Sequence, residues 1–192
     1  MLEDVGEPAL KMSYADYLRF EETAELKHEY IDGLVVAMSG GTLEHARLAA
    51  KMIVLLANAL ENAPCTVLSS DGRVRIEATN NARYPDVSVF CGEAQVASDD
   101  AQGLANPRVL VEVLSPSTER DDRGTKFAHY RRLEALQEYV LVSQERASVE
   151  VFRRGEDGWT LREYGPGDQA ELASLGVQLP VDALYTDALS GG

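Results

Sequence analysis

Residues 108–114 read RVLVEVL, an almost continuous apolar run that is interrupted by one carboxylate, Glu112. Such a run is typical of a strand that is covered on both faces, and the Ser-Pro-Ser segment at residues 115–117 ends it. Because strand side chains alternate, Leu110 and Leu114 share the face of Glu112. A buried carboxylate is costly unless it is neutralised, paired or bound to a metal. We therefore interpret Glu112 as a metal ligand or a general acid or base; the alternatives are a structural salt bridge and a protonated glutamate.

A second acidic residue lies near the start of the preceding predicted strand, at residues 84–91. This segment is rich in aromatic and β-branched residues, and Pro85 suits a strand entrance because it cannot donate a ladder hydrogen bond. Taken alone, Asp86 could be a turn-capping aspartate. Together with Glu112 on a neighbouring core strand, it would supply the hard oxygen ligands that Mg²⁺ prefers.

Lys126 lies about two turns into the helix that is predicted after the Glu112 strand. If this helix doubles back over the sheet, the ammonium could reach the depth of Glu112, since helical side chains lean toward the N-terminus. Phe127, Tyr130 and Leu133 form the apolar stripe of the helix, and Lys126 borders it. The alternative for Lys126 is an exposed position on the helix surface.

Periodicity and turn residues predict the other elements. They are a helix from a capping box at residues 13–16 to about residue 22, a hairpin at 28–39, a long helix at 43–61, strands at 65–69 and 73–77, a lid or insertion loop at 92–107, a helix from a capping box at 118–121 to about residue 133, hairpins over 138–164, and a weakly structured tail. This order indicates a single α/β (α+β) domain with a mixed central β-sheet flanked by helices. We assign residues 12–185 to the domain, 1–11 to a flexible acidic tail and 186–192 to a C-terminal tail.

Chain length, cysteine content and net charge indicate where the protein is located and what it can bind. The 192 residues suit one globular domain, and the acidic N-terminus does not resemble a signal peptide. No segment approaches the length of a membrane span, so we expect a cytoplasmic protein. Cys65 and Cys91 lack a metal-ligand spacing and are predicted to be buried, inert thiols in a reducing compartment. The net charge of −14 counts against nucleic-acid binding, although binding depends on the local field.

The motifs together resemble the Uma-two family of restriction-endonuclease-like proteins, in the PD-(D/E)XK nuclease superfamily. The likeness extends over about residues 12–179 and is carried by residues 28–33, 39–41, His45, 84–86, 111–118, 126–130 and 138–142. It implies a restriction-endonuclease-like fold, with Asp86 as the aspartate of the PD element and Glu112 as the second acid. The superfamily lysine would stand two residues after Glu112, where this chain has Leu114. Lys126, from the following helix, is therefore the candidate lysine.

The resemblance also implies further site residues. Asp86, Glu112 and the Val113 carbonyl would hold Mg²⁺ or Mn²⁺, with Glu29 as an additional ligand or, alternatively, a solvent-facing strand residue. His45 could contact phosphate or fill a capping position. Apart from the resemblance, Arg73, Arg123 and Tyr130 are possible phosphate contacts, and the alternative for the two arginines is a solvated position on the surface.

The function implied is metal-dependent hydrolysis of nucleic-acid phosphodiesters, with DNA as the expected substrate and a homodimer as the expected assembly. The first alternative is a non-catalytic module of nuclease fold that binds nucleic acid or a protein partner. The second is a glycosidase that uses the carboxylate pair, which the low aromatic content of 7% disfavours because sugar clefts are lined by aromatic side chains.

Overall fold

The computed structural model describes residues 10–186 of the chain. The helices in this range are α1 (Tyr14–Glu21), α2 (Leu43–Ala59), α3 (Glu119–Asp121), α4 (Phe127–Tyr130) and α5 (Val181–Tyr185), with a π-helical segment at Asp122–Lys126 and a 3-10 turn at Glu77–Thr79. The strands are β1 (Leu10–Lys11), β2 (His28–Ile31), β3 (Leu34–Ala37), β4 (Cys65–Ser69), β5 (Val74–Ile76), β6 (Asn81–Arg83), β7 (Val87–Cys91), β8 (Val96–Ala97), β9 (Asp100–Leu104), β10 (Val109–Val113), β11 (Glu138–Val142), β12 (Val149–Gly155), β13 (Gly158–Tyr164), β14 (Gln169–Leu172) and β15 (Val177–Pro180).

The predicted apolar strand is β10, and it lies inside a six-stranded sheet of order β13-β12-β11-β10-β7-β4. It pairs in parallel with β11 and antiparallel with β7, and all five of its residues are buried. Helix α2 packs on the face that carries Val109, Val111 and Val113. The other face, with Leu110, packs against the helical segment of Tyr130. The prediction that this strand is covered on both faces is confirmed.

A seven-stranded sheet of order β1-β3-β2-β6-β5-β9-β8 lies beside the first, and β14 pairs with β15 in a separate ribbon. The seven-stranded sheet packs on α1 through a cluster of tyrosines, Tyr14, Tyr17 and Tyr30. The α+β class with mixed sheets is confirmed. The expected single central sheet is divided into two, because β4 and β5 enter different sheets after the turn that separates them.

Several local predictions are confirmed. The Ser13 hydroxyl caps α1 by accepting a hydrogen bond from the Asp16 amide at 3.2 Å. Strands β2 and β3 form the predicted hairpin, and Asp32 and Gly33 both adopt the positive φ that its tight turn requires. The long amphipathic helix is α2, and the meander from β11 to β13 forms the predicted closing hairpins.

Other local predictions are wrong. The segment predicted as a loop at residues 92–107 contains β8 and β9, and the tail that was predicted to be weakly structured contains β14, β15 and α5. These elements are too short to show a clear period in the sequence. Thr118 makes no side-chain cap, and its hydroxyl is instead hydrogen-bonded with Ser115 Oγ at 2.9 Å. The helix that follows includes the π-helical segment.

The prediction of two buried, inert thiols is also wrong. Cys65 on β4 and Cys91 on β7 stand directly opposite each other in the antiparallel register and form a disulfide, with Cα atoms 3.9 Å apart. Their separation of 26 residues in sequence does not indicate this pairing. The prediction of a reducing compartment depended on free thiols, so the disulfide removes its basis.

The ends of the chain bear on the predicted boundaries. Leu10 and Lys11, which were assigned to the acidic tail, pair with β3, whereas the rest of that tail and residues 187–192 lie outside the described residues. Over residues 10–186, none of the helices combines the length and apolar character needed to cross a bilayer.

Candidate active site

Asp86 and Glu112 meet because of the register between β7 and β10. Val87 stands opposite Val111 in this antiparallel pair, so one further step places Asp86 opposite Glu112. Residues that stand directly opposite each other share a face of the sheet. Both side chains line the same cleft, which has a volume of about 270 Å³. The predicted convergence of the two acids is found.

Two loops form the walls of this cleft. One is the Met38–Thr42 connection between β3 and α2, and the other is the Ser115–Thr118 connection between β10 and α3. Gln144 ties the walls together: its side-chain oxygen accepts from Thr42 Oγ1 at 2.6 Å, and its side-chain nitrogen donates to the Leu114 carbonyl at 2.6 Å. The two loops that line the cleft with the acids are therefore joined to each other.

Asp86 immediately precedes the first residue of β7. Its Oδ2 accepts a hydrogen bond from the Val113 amide at 2.7 Å, so the side chain replaces the ladder bond that a longer β7 would make. His45 Nε2 lies 3.2 Å from the same oxygen. The hydrogen bond to Asp86 raises the pKa of His45, although burial opposes the shift. A Cβ on Gly41 would come within 2.8 Å of His45 Nδ1, so the rim loop passes close to the imidazole.

Glu112 is almost sealed from solvent, at 4% exposure. Its Oε1 accepts a hydrogen bond from Tyr130 OH at 2.9 Å and lies 3.1 Å from Lys126 Nζ. Burial raises the pKa of Glu112 to about 8; Lys126 opposes this rise, while Asp86 adds to it. Burial therefore disfavours the charged form of Glu112, and a cation bound beside it would favour that form.

Lys126 reaches Glu112 from the π-helical segment, as the helical geometry predicted. Its ammonium also donates to Asp122 Oδ1 at 3.0 Å and lies 3.9 Å from Glu29 Oε1. Burial by itself lowers the pKa of Lys126, but the surrounding carboxylates, led by Glu112, outweigh this and raise it. Lys126 is therefore charged and is held at the cleft floor.

Glu29 does not line the cleft, in contrast to its predicted role as an additional metal ligand. Its Oε2 accepts a hydrogen bond from Arg83 Nη1 at 2.6 Å, and its Oε1 faces Lys126 without a hydrogen-bond partner. Lys126 itself lines the cleft, and it is the residue of the cleft that lies near Glu29 Oε1.

Comparison with known protein families identifies the family of this chain. The Uma2 family, described as "Putative restriction endonuclease", matches residues 14–182. The chain belongs to the Uma2 family. The match includes Asp86, Glu112 and Lys126, and it confirms the resemblance stated from the sequence motifs.

Two cyanobacterial proteins from Synechocystis sp. are similar to this Uma2 chain along most of its length. "Uncharacterized protein slr1290" is 38% identical over 179 residues, which is 93% of each chain. "Uncharacterized protein sll1609" is 33% identical over 162 residues, covering 84% of this chain and 91% of the relative.

A solved structure has the same fold. It is described as a putative nuclease belonging to DUF820 from Anabaena variabilis, and it aligns with a TM-score of 0.74 over 91% of this Uma2 chain and 98% of its own. At 16% identity the match establishes the fold alone. The Uma2 family description and the nuclease-like fold together support a nuclease.

Of the predicted phosphate contacts in this Uma2 protein, only His45 lines the cleft. Arg73 is bonded to both carboxylate oxygens of Asp100, and Arg123 to both of Glu150. Tyr130 is fully buried behind Glu112, to which it donates its hydroxyl proton. Each of these three residues is held by an internal carboxylate and none lines the cleft, so the structure does not bring them to Asp86 and Glu112, and their contact with phosphate stays a prediction.

The donor set fits a hydrated divalent cation. In the described range no three His, Cys, Asp or Glu side chains form a group that could enclose a metal. Mg²⁺, however, keeps several of its waters and is commonly bound by one or two carboxylates, and Asp86 and Glu112 supply two on one cleft. The carboxylates of Asp86, Asp122 and Glu29 outnumber the cations Lys126 and Arg83, and Glu112 would add a fourth carboxylate once an ion is bound beside it. This balance of charge favours a further cation.

The sequence interpretation missed two residues of this Uma2 site. Asp122 is 1% exposed and binds Lys126, and its spacing of four residues before Lys126 on a helix was a usable signal. Arg83 is also 1% exposed, and it lies 54 residues from its partner Glu29. No local pattern marks Arg83 as part of the site.

Proposed function

We propose that this protein is a metal-dependent nuclease that hydrolyses phosphodiester bonds in nucleic acid, with DNA as the expected substrate. The observation that supports it best is the arrangement of Asp86 and Glu112. They come from adjacent antiparallel strands, open on one cleft, and have Lys126 Nζ 3.1 Å from the second acid. Two acids and a lysine at one point are the chemical groups that hydrolysis of a phosphodiester by an activated water requires.

Each residue of the site has a proposed role. Asp86 and Glu112 would hold Mg²⁺ or Mn²⁺ together with the carbonyl of Val113. Val113 is also one of the residues that line the cleft. The ion, when bound, would supply a water of lowered pKa and a positive charge for the scissile phosphate. Lys126 would orient that water and offset charge on the phosphate. His45, which lies at the amino end of α2 and beside Asp86, would contact a phosphate oxygen.

Incubation of the purified protein with plasmid DNA, single-stranded DNA and RNA tests the proposal. We expect cleavage with Mg²⁺ or Mn²⁺ and none with EDTA. Asp86→Asn is a suitable loss-of-function variant because the amide oxygen can still accept the Val113 N–H, and it should lower the rate by about 10²-fold or more. Binding of nucleic acid without cleavage, by protein loaded with either metal, would contradict hydrolysis and favour the binding-module alternative.

Salt dependence gives a second prediction, which concerns how nucleic acid is held. All 18 Lys and Arg residues lie within the described range, and of these only Lys126 lines the cleft, beside the titratable His45. The rims are neutral loops, so few phosphates are neutralised on binding. We expect the logarithm of the affinity for single-stranded DNA to fall with a slope of about −1 to −2 against the logarithm of salt concentration.

The measurement is a titration of fluorescent oligonucleotide at several NaCl concentrations, with Ca²⁺ in place of Mg²⁺ to prevent turnover. A slope steeper than about −4 would indicate an extended basic face and would contradict recognition through the neutral rims. The homodimer and the cytoplasmic location stay predictions; sedimentation of the same samples tests the first.

A further inference from the structure

We infer that Glu29, anchored by Arg83, is a positioning residue that holds the Lys126 ammonium against Glu112, and that it is not a metal ligand. The inference rests on the proposed function for its consequence in catalysis, whereas the placement of Lys126 can be tested without any reaction. Glu29 and Arg83 belong to the seven-stranded sheet, whereas Glu112 belongs to the six-stranded sheet. The inference therefore gives a buried ion pair of one sheet a role in the candidate site of the other.

The ion pair is built by strand register. Strand β2 pairs antiparallel with β6, and Tyr30 stands opposite Ala82. One step further places Glu29 opposite Arg83 on a shared face, where Nη1 donates to Oε2 at 2.6 Å. Arg83 is 1% exposed, so its charge is hardly weakened by water. The carboxylate of Glu29 is therefore fixed at one oxygen.

The other oxygen of Glu29 is directed at the lysine. Glu29 Oε1 has no hydrogen-bond partner and lies 3.9 Å from Lys126 Nζ. An unpaired buried carboxylate oxygen is uncommon in a structure that serves stability alone, because desolvation of the oxygen is not compensated. The attraction between Glu29 Oε1 and the nearby Lys126 ammonium offsets part of this cost.

Three carboxylates surround one ammonium from three elements of the fold. Glu112 belongs to β10, Asp122 to the π-helical segment and Glu29 to β2. The ammonium of a lysine is carried on a flexible stem of four carbons, so a single ionic partner would leave the ammonium free to change its position in the cleft. The third carboxylate approaches from the other sheet and thereby restricts the direction in which the ammonium can move.

Arg83 is needed for this arrangement. A third carboxylate close to Glu112 and Asp122 would otherwise repel them, and the Arg83 guanidinium offsets that charge. Arg83 Nη1 also lies 3.5 Å from Asp121 Oδ2, on the residue just before Asp122. It therefore connects β6 both to Glu29 and to the helical segment that carries Lys126.

The decisive variant is Glu29→Gln, which keeps the size of the side chain and removes its charge. We expect kcat to fall by about 10- to 100-fold with KM little changed, since misplacement of a catalytic group lowers the rate of the chemical step. In a Lys126→Met background, Glu29→Gln should cause no further loss. Calorimetric titration with Mn²⁺ alone should give the same affinity for wild type and Glu29→Gln.

The matched control is Asp100→Asn in the same sheet. Asp100 is also a buried carboxylate bonded to an arginine, Arg73, but it does not line the cleft. This variant should lose stability without a change in the kcat of the folded fraction. A structural role for Glu29 would give the same result as Asp100→Asn, which would overturn the inference.

A readout without turnover is acylation of lysine amines, quantified by mass spectrometry. Lys126 should be protected in wild type and labelled several-fold faster in Glu29→Gln, with Lys51 as the internal reference. Unchanged labelling of Lys126, or a loss of Mn²⁺ affinity of about tenfold or more in Glu29→Gln, overturns the positioning role. If wild type cleaves no nucleic acid, the proposed function fails, and the labelling still decides whether Glu29 positions Lys126.

Discussion

Glu112→Gln is expected to abolish metal-dependent cleavage while making the metal-free protein more resistant to unfolding. The loss of activity follows from the removal of one of two carboxylates on the cleft, and we expect the rate to fall by about 10³-fold or more. Glutamine keeps an oxygen that can accept the Tyr130 hydroxyl, so the local packing is retained. The measurement is the initial rate of plasmid nicking at saturating Mg²⁺.

The gain in stability follows from the pKa of Glu112, which burial raises from 4.5 to about 8. Below pH 4.5 the group is neutral in both the folded and the unfolded chain, and the contribution of its raised pKa to stability is fully present. As pH rises from 4.5 toward 8, the unfolded chain releases the proton first, so the stability of wild type declines relative to Glu112→Gln. At pH 7 the difference should be on the order of 3 kcal/mol in favour of the variant.

Urea denaturation in EDTA at pH 4.5 and pH 7 measures this difference. The control is Glu150→Gln, which removes a buried carboxylate that is bonded to Arg123 at both oxygens and should lower stability at either pH. A Glu112→Gln variant that is no more stable than wild type at pH 7 would refute the raised pKa. Residual cleavage near the wild-type rate would refute the role of Glu112 as a ligand.

The sequence predicted the centre of this site well because the cues there are local. Glu112 interrupts an apolar strand, and this is visible in the sequence without knowledge of the fold. Antiparallel pairing with the strand that follows Asp86 is then enough to bring Asp86 beside Glu112. Lys126 followed from helix geometry, since its distance from the helix start sets its depth. These three residues meet as predicted.

The surrounding residues could not be predicted because their contacts are not local. Arg83 meets Glu29 only after β2 and β6 pair across an interval that includes all of α2. Arg73 is bonded to Asp100, and Arg123 is bonded to Glu150. Neither arginine lines the cleft, and the residues near each arginine in sequence do not indicate these distant partners. The disulfide between β4 and β7 is a register effect of the same kind.

The division into two sheets was missed for a related reason. Strands β5, β6 and β8 have three residues or fewer, which is too short for alternation to appear. The consequence for the site is direct, because the seven-stranded sheet carries the ion pair that faces Lys126. The alternative interpretation of Glu29, a solvent-facing strand residue, does not hold, because its side chain is only 13% exposed.

Lys126→Met is expected to lower both activity and stability. The variant keeps the length of the side chain and removes the ammonium that faces Glu112, Asp122 and Glu29. Removal of one partner from a buried charge cluster costs about 3–5 kcal/mol, because the remaining charges are left without compensation. Loss of the group that orients the attacking water should lower kcat by about 10²- to 10⁴-fold.

The two effects can be separated by a second substitution. Asp122→Asn in the Lys126→Met background removes one of the uncompensated carboxylates, so we expect it to restore part of the stability and none of the activity. Lys51→Met, on α2 and outside the residues that line the cleft, controls for the exchange of a helical lysine. If the double variant regained cleavage along with its stability, the low activity of Lys126→Met would reflect unfolding, and the lysine would have no part in the chemistry. If cleavage stays absent in a fully folded double variant, the ammonium is needed for the reaction itself, since the fold no longer depends on it.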